Sequence, residues 1–268
     1  MKDFFIFFIL FIPLIVDAFK DGKYDFYKNN EYFIQKTIDT KKIDQGIIRA
    51  KVDNKWQDFQ VVELPEGFLE WNFEKRLSMI EKIKKKEPPD WAGPHNGIVA
   101  TYGAKREDTK LGINCAVKGM GFLPKKEKIK EIINLLKESF NNSFERKVNI
   151  LESLYKKGRE VFDLNKQASL ELYTTKDFYT QTFLNQMVNP ACAIVFLDIP
   201  SYKLKCLAHL LHPKNPYLSE YEKDVCEYVN LIHDYFHGES PRKSIAVIYY
   251  IIEVFDNSPG RGKGIKVK

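Results

Sequence analysis

The stretch Ser169–Pro259, SLELYTTKDFYTQTFLNQMVNPACAIVFLDIPSYKLKCLAHLLHPKNPYLSEYEKDVCEYVNLIHDYFHGESPRKSIAVIYYIIEVFDNSP, decides the fold. Ala191 to Asp198 is almost wholly apolar and short, which predicts a strand buried on both faces. Ser244 to Phe255 predicts a second long strand, closed by the turn residues from Asp256 to Gly260. Between them, Ser219 and Glu222 form a capping-box pattern that opens a helix running to Phe236, with Gly238 as its stop. Ahead of them, Ser169 to Thr174 predicts a strand and Lys176 to Met187 a short helix, broken at Asn189-Pro190. Tyr202 to His212 reads both ways. Leu204, Leu207, Ala208 and Leu211 share a helical face, whereas Leu204, Cys206, Ala208 and Leu210 alternate as in a strand, and local propensity leans to helix.

Working outward, Tyr32 to Ile38 predicts a strand. Gly46–Val52 and Trp56–Leu64 predict a hairpin around a tight turn at Asp53-Asn54. Asn72 to Lys86 predicts a helix capped by Asn72 and stopped at Pro88-Pro89, and Gly97–Ala104 and Leu111–Val117 predict two strands. Ile129, Ile132, Ile133, Leu136 and Phe140 form one helical stripe, and Phe144, Val148, Leu151 and Tyr155 form another, ended by Gly158. The pattern is α+β: a mixed or barrel-like antiparallel β core covered by three to four helices. It divides into a leader (1–18), a strand-rich part (19–118), a helical hairpin insertion (119–168), an α+β core part (169–260) and a basic tail (261–268), with 19–260 expected as one compact unit.

Phe4 to Val16 is a run of 13 apolar residues. That is too short to span a bilayer and suits the core of a secretory leader, with small residues at 16 and 18 placing cleavage after Ala18. The expected location is extracellular. With 44% apolar and 14% aromatic residues the chain can build a core, which excludes global disorder. Lysine and arginine (42) outnumber acids (36), for a net charge of +6. The excess is spread along the chain apart from Arg261, Lys263, Lys266 and Lys268, so nucleic acid is disfavoured as a partner and the tail reads as a solvated end. Cys115, Cys192, Cys206 and Cys226 are an even set in an exported chain, which predicts two disulfides with three pairings open. Asn141-Asn142-Ser143 is a glycosylation sequon.

Cys226, His233 and His237 fall on one stripe of the Ser219–Phe236 helix. Histidines at i and i+4 make a zinc pair, and Cys206 and His209 would complete a tetrahedron if their segment were helical. The spacing matches no established zinc signature, and a core-bordering histidine pair with a disulfide-bonded Cys226 is the favoured reading. Gly119-Met120-Gly121 lacks a third glycine and an acidic ribose partner, so it reads as a tight turn rather than a dinucleotide loop. Asp198 and Asp256 end predicted strands and read as turn or capping carboxylates. Gly-x-Ser-x-Gly and His-Glu-x-x-His are both absent, which disfavours the common serine hydrolases and zincins.

The layout of Leu170 to Leu211, with LELYTT, a short helix, LNQMVNP from Leu184 to Pro190, CAIVFLD and then Tyr202-Lys203-Leu204-Lys205, resembles the flavin-binding split-barrel family that includes pyridoxamine phosphate oxidase. The resemblance implies a strand over Tyr202–His212 and FMN as cofactor. Its phosphate would be gripped by Thr174, Thr175 and Lys176 at a helix start and by Lys205 on the following strand. Two hydroxyls and an ammonium at a helix N-terminus make an anion site, although a plain helix cap is the favoured reading of the three. The chain departs from the family in its two-helix insertion and in lacking the family's paired basic residues and closing substrate motif. Three function classes follow in order: a secreted binding or interaction protein acting on an extracellular protein or polymer, an FMN-binding oxidoreductase or degenerate relative, and a metal-binding protein.

Overall fold

The computed structural model describes residues 24–88, 90, 92–260 and 262–268; the leader expected over 1–18 therefore lies outside the described residues. Strands β1 (Tyr27–Lys28) and β2 (Tyr32–Phe33) form a small pair. Strands β3 (Ile38–Asp39), β4 (Ile47–Val52) and β5 (Lys55–Gln60) form a three-stranded antiparallel sheet. The expected strand over Tyr32–Ile38 is thus two short pieces. Gln35 between them turns inward, where its amide donates to the carbonyls of Gln186 and Ala208. The β4–β5 turn is as expected: Asp53 and Asn54 both take positive φ, 49° and 64°, as a two-residue hairpin turn requires.

Helix α1 (Glu66–Lys84) is followed by β6 (Asn96–Thr101) and β7 (Asn114–Gly119). Then come α2 (Ile129–Glu138), α3 (Phe144–Lys156), the single turn α4 (Gly158–Val161), β8 (Lys166–Glu171) and α5 (Gln181–Val188). The chain ends with β9 (Ala191–Phe196), β10 (Tyr202–Leu211), α6 (Glu220–His237), β11 (Ile245–Asp256) and β12 (Ile265–Lys266). The main sheet is antiparallel throughout, in the order β12-β11-β10-β9-β6-β7, with β8 also on β11. It curls on itself. Just beyond β7, the N–H groups of Gly121 and Ala168 each donate to the other's carbonyl, at 2.9 and 2.8 Å, and this bridge, followed by one between Pro124 and Phe162, joins the β7 side to the β8 side. Gly119-Met120-Gly121 is thereby a structural junction. The architecture is α+β around a barrel-like antiparallel sheet, with no full ladder closing it.

The core fills the inside of the curl, and helices plug its ends. At one end Phe68 and Trp71 of α1 pack against Phe196 and Tyr202, edge-on except for the tilted pair Trp71–Tyr202. At the other, α5 sits where β7 and β8 part: its Asn185 amide donates to Thr101 Oγ1, and Asn114 Nδ2 donates to Thr182 Oγ1 at 2.8 Å. Outside, α2 packs on α6 and α3 on α1. The expected helical hairpin is therefore split between two partners.

Tyr202–Leu211, which read both ways, is the strand that the resemblance implied: it pairs on both edges, with β9 and β11, which outweighs its helical propensity. Other expectations need correction. Helix α1 begins after Pro65, six residues before Asn72; that residue is fully buried inside the helix and accepts from Arg76. Helix α5 begins after Thr180, whose hydroxyl accepts from Phe183 N–H, so Lys176 lies in the loop before it. The capping box at Ser219 and Glu222 forms as expected.

All four cysteines are free thiols. Cys115 points out from the exposed face of β7, Cys226 is buried on α6 with its thiol toward the Leu211 carbonyl, and Cys192 donates to a backbone carbonyl rather than to sulfur. The basic tail is not frayed. Its strand β12 pairs with Phe255 and Asp256, and Lys266 meets Glu253 at 3.0 Å.

Candidate functional site

The outer face of the main sheet carries a row that crosses five strands in register. Cys115 on β7 pairs with Ala100 on β6, Ala100 with Ala193 on β9, Ala193 with Lys205 on β10, and Lys205 with Glu253 on β11. Two alanines in the middle of a sheet face leave a trough, because their neighbours rise higher than they do. Ala191 widens it. The β4–β5 hairpin supplies a wall through Val52 and Phe59, and Tyr102 and Ile113 supply another. The result is an open, mostly apolar groove of about 960 Å³. That volume falls within the range of small-molecule sites.

The wall is held in place. Tyr102 Oη donates to Asp53 Oδ1 at 3.0 Å, and Asn189 Nδ2 donates to the same oxygen at 3.0 Å. The tip of the hairpin is thus tied both to the end of β6 and to the start of β9. The shift in register between Lys205 and Cys206 is a bulge, and it falls at the polar end of the trough. Bulges re-aim side chains at such places. There Lys205 Nζ lies 2.8 Å from Glu253, whose other oxygen takes Lys266. Hydrogen bonds from Lys205 and then Lys266 hold the Glu253 carboxyl below its usual range. Two ammoniums share one carboxylate, so this end of an apolar groove is net positive.

The sequence candidates do not gather at one place. Thr174, Thr175 and Lys176 line a second cleft of about 570 Å³ with Tyr27, His212, Lys214, Arg242 and Lys243, while Lys205 is in the groove. The two hydroxyls shape their own loop. Thr174 Oγ1 accepts from Thr180 N–H, and Thr175 Oγ1 accepts from the N–H groups of Asp177 and Phe178. Lys176 pairs with its neighbour Asp177. Of the metal candidates, His233 and His237 do meet, with ring centroids 4.9 Å apart. Cys226 faces the core instead, and burial pushes its thiol up to about 12. Among the described residues, no group of three or more His, Cys, Asp or Glu is placed to hold a metal ion. Asp198 and Asp256 serve locally: Asp198 accepts from Trp71 Nε1 and Lys75, and Asp256 from Ser258 N–H. Sequence reading missed the groove. Its only linear trace is the alternation of small and large residues in Ala191–Phe196, which gives no sign of what stands opposite.

The fold and site define an α+β protein with a curled antiparallel sheet and an apolar groove on its outer face. No family model matches the chain, and no curated protein matches it. Among solved structures it is similar to HupZ of Group A Streptococcus, with a TM-score of 0.34 and 14% identity, over 69% of this chain and 95% of that one. A likeness that distant assigns no family.

Proposed function

We propose that this chain is an exported binding protein for a small amphiphilic anion. The ligand's flat or elongated apolar body lies along the trough over Ala100, Ala191 and Ala193, and its acidic group reaches Lys205. The observation that carries this reading is the pairing of an apolar groove of ligand size with one net-positive end. Burial of the body supplies affinity, and the charge sets orientation. Export rests on the Phe4–Val16 run and is tested by sequencing the N-terminus of the protein recovered outside the cell.

Titration with anilinonaphthalene sulfonate, competed by laurate and by lauryl alcohol, tests the site. Ala193→Trp fills the trough and removes binding of all three. Lys205→Glu weakens laurate about fivefold, the worth of a partly exposed charge contact, and leaves the alcohol unchanged. Undiminished binding by Ala193→Trp rules the groove out.

The basic cleft supports a second reading, that of a phosphate-bearing cofactor such as the FMN implied by the split-barrel resemblance. Lys214, Arg242 and Lys243 converge there on Thr174, Thr175 and Lys176. Flavin absorbance in the purified protein, lost in Arg242→Ala, is its test; colourless protein that takes up no added FMN rejects it.

A further inference from the structure

Arg76 of α1 is 2% exposed, and none of its hydrogen-bond partners among the described residues is a carboxylate. Its Nε donates to Asn72 Oδ1 at 2.7 Å, one terminal nitrogen meets Tyr155 Oη at 3.0 Å and His95 Nδ1 at 3.3 Å, and the other donates to the carbonyls of Pro94 and Met120, both at 2.8 Å. The guanidinium also lies over the rings of Tyr155 and Phe122. All of its partners are neutral. A buried cation without a counter-ion is costly, so the fold retains a positive charge that its own residues do not cancel.

That charge determines the state of His95. A guanidinium only donates, so Nδ1 of His95 must accept and the proton of the neutral ring resides on Nε2. Burial, and then Arg76, pull the imidazole pKa down to about 3, so the ring stays neutral at physiological pH. Nε2 is buried and has no hydrogen-bond partner among the described residues. His95 lines a cleft of about 530 Å³ with Lys75, Met79, Lys82, Asp90, Ala92, Pro94 and Asp198. Lys75, Met79 and Lys82 are at i, i+4 and i+7, one stripe of α1, which sets the two lysines about 10 Å apart along the helix axis. Each already has an acid: Lys75 has Asp198 at 3.1 Å, and Lys82 has Asp90 at 2.7 Å. The local sum is therefore the single charge of Arg76.

We propose that this cleft is a binding site for a small organic monocarboxylate, one of whose oxygens accepts the Nε2–H of His95 while Lys75 and Lys82 flank it. A fixed neutral donor, backed by a buried cation and bordered by two ion-paired ammoniums, matches an acceptor of charge minus one. A carboxylate also satisfies a buried donor that has no hydrogen-bond partner among the described residues. Arg76 acts through His95, as the group that fixes its tautomer and supplies the field. The cleft lies at the α1 end of the curled sheet. The apolar groove lies toward the other end of the same strands, so the two sites stand or fall separately.

Imidazole proton–nitrogen NMR on the full chain tests the proposal, with sodium benzoate as probe and benzamide as its neutral isostere. The expected spectrum of His95 is that of the Nε2–H tautomer. Benzoate shifts it saturably and benzamide does not. Lys75→Gln and Lys82→Gln each weaken benzoate about fivefold. His95→Leu abolishes binding, and His95→Gln, which keeps a side-chain N–H, retains part of it. If His95→Leu does not fold, the double lysine variant decides: unchanged affinity in it overturns the proposal. So do an Nδ1–H tautomer, a shift that never saturates, equal binding of benzamide, or tighter binding of inorganic phosphate than of benzoate.

Discussion

Cys192 and Cys206 stand directly opposite each other on β9 and β10, and the Cys192 thiol donates to the Cys206 carbonyl at 3.6 Å. Two cysteines facing across neighbouring strands are the nearest this chain comes to a disulfide, and they remain thiols. Burial raises both thiol pKa values, so little thiolate forms at neutral pH.

Alkylation of the native protein should accordingly proceed in two stages. Cys115, exposed on the groove rim, reacts first. Cys192, Cys206 and Cys226 react only on unfolding. Mass spectrometry after a timed iodoacetamide pulse checks this; one fast label and three slow ones are expected, and a disulfide-linked peptide pair in the native protein would contradict it.

Replacing Arg76 by alanine should destabilise the fold by at least about 3 kcal/mol, since an ionic donor with several buried acceptors is removed at once. The denaturant midpoint reads the loss. Arg76→Lys should recover only part of it, because an ammonium cannot reach acceptors arranged for a planar fork. Equal stability of wild type and alanine variant would mean that water replaces the guanidinium.

Gly158→Ala should cost about 1–3 kcal/mol, the usual penalty of overpacking. A Cβ there would lie 2.6 Å from the Phe73 ring. The double variant with Phe73→Leu should recover much of the loss, which thermal melts would show. Failure of the second change to help would place the strain elsewhere.

Stability should fall on acidification below pH 6.5. His95 titrates near 3 and His212 near 4 in the folded chain, both through burial first, and burial lowers His209 as well. Each has a higher pKa when unfolded, so the unfolded state binds more protons as pH drops. The stability they confer is therefore complete above about 6.5 and is lost progressively toward 4 and 3. Each group adds a slope of up to about 1.4 kcal/mol per pH unit. Denaturant titrations at several pH values measure it, and His212→Gln should flatten the upper part of the curve. An identical pH dependence in that variant would assign the effect to carboxylates.

The sequence was most legible where local rules suffice. The capping box at Ser219, the Asp53-Asn54 turn and the apolar run of β9 each depend on a few adjacent residues, and each formed where expected. Reading failed where a distant partner decides. Gly158 follows the end of α3, as expected, but the local reading did not show that a new helical turn begins there or that Phe73 presses on the glycine. Asn72 looks like a cap and is instead a buried acceptor for Arg76. Thr174, Thr175 and Lys176 look like a helix start, whereas Thr180 caps the helix and the earlier hydroxyls hold the loop.

By itself the sequence determined the class: α+β, with an all-apolar β9, a capped α6 and the long strand β11, because hydrophobic period and capping are properties of neighbours in the chain. Tertiary structure settled the two-way local reading of Tyr202–Leu211 in favour of a strand, and it alone decided that the sheet curls until Gly121 meets Ala168 and that Ala100, Ala193 and Lys205 fall in one row. Those outcomes depend on register between strands far apart in the chain. Register is set by packing and backbone pairing summed over the whole sheet, which no local stretch encodes.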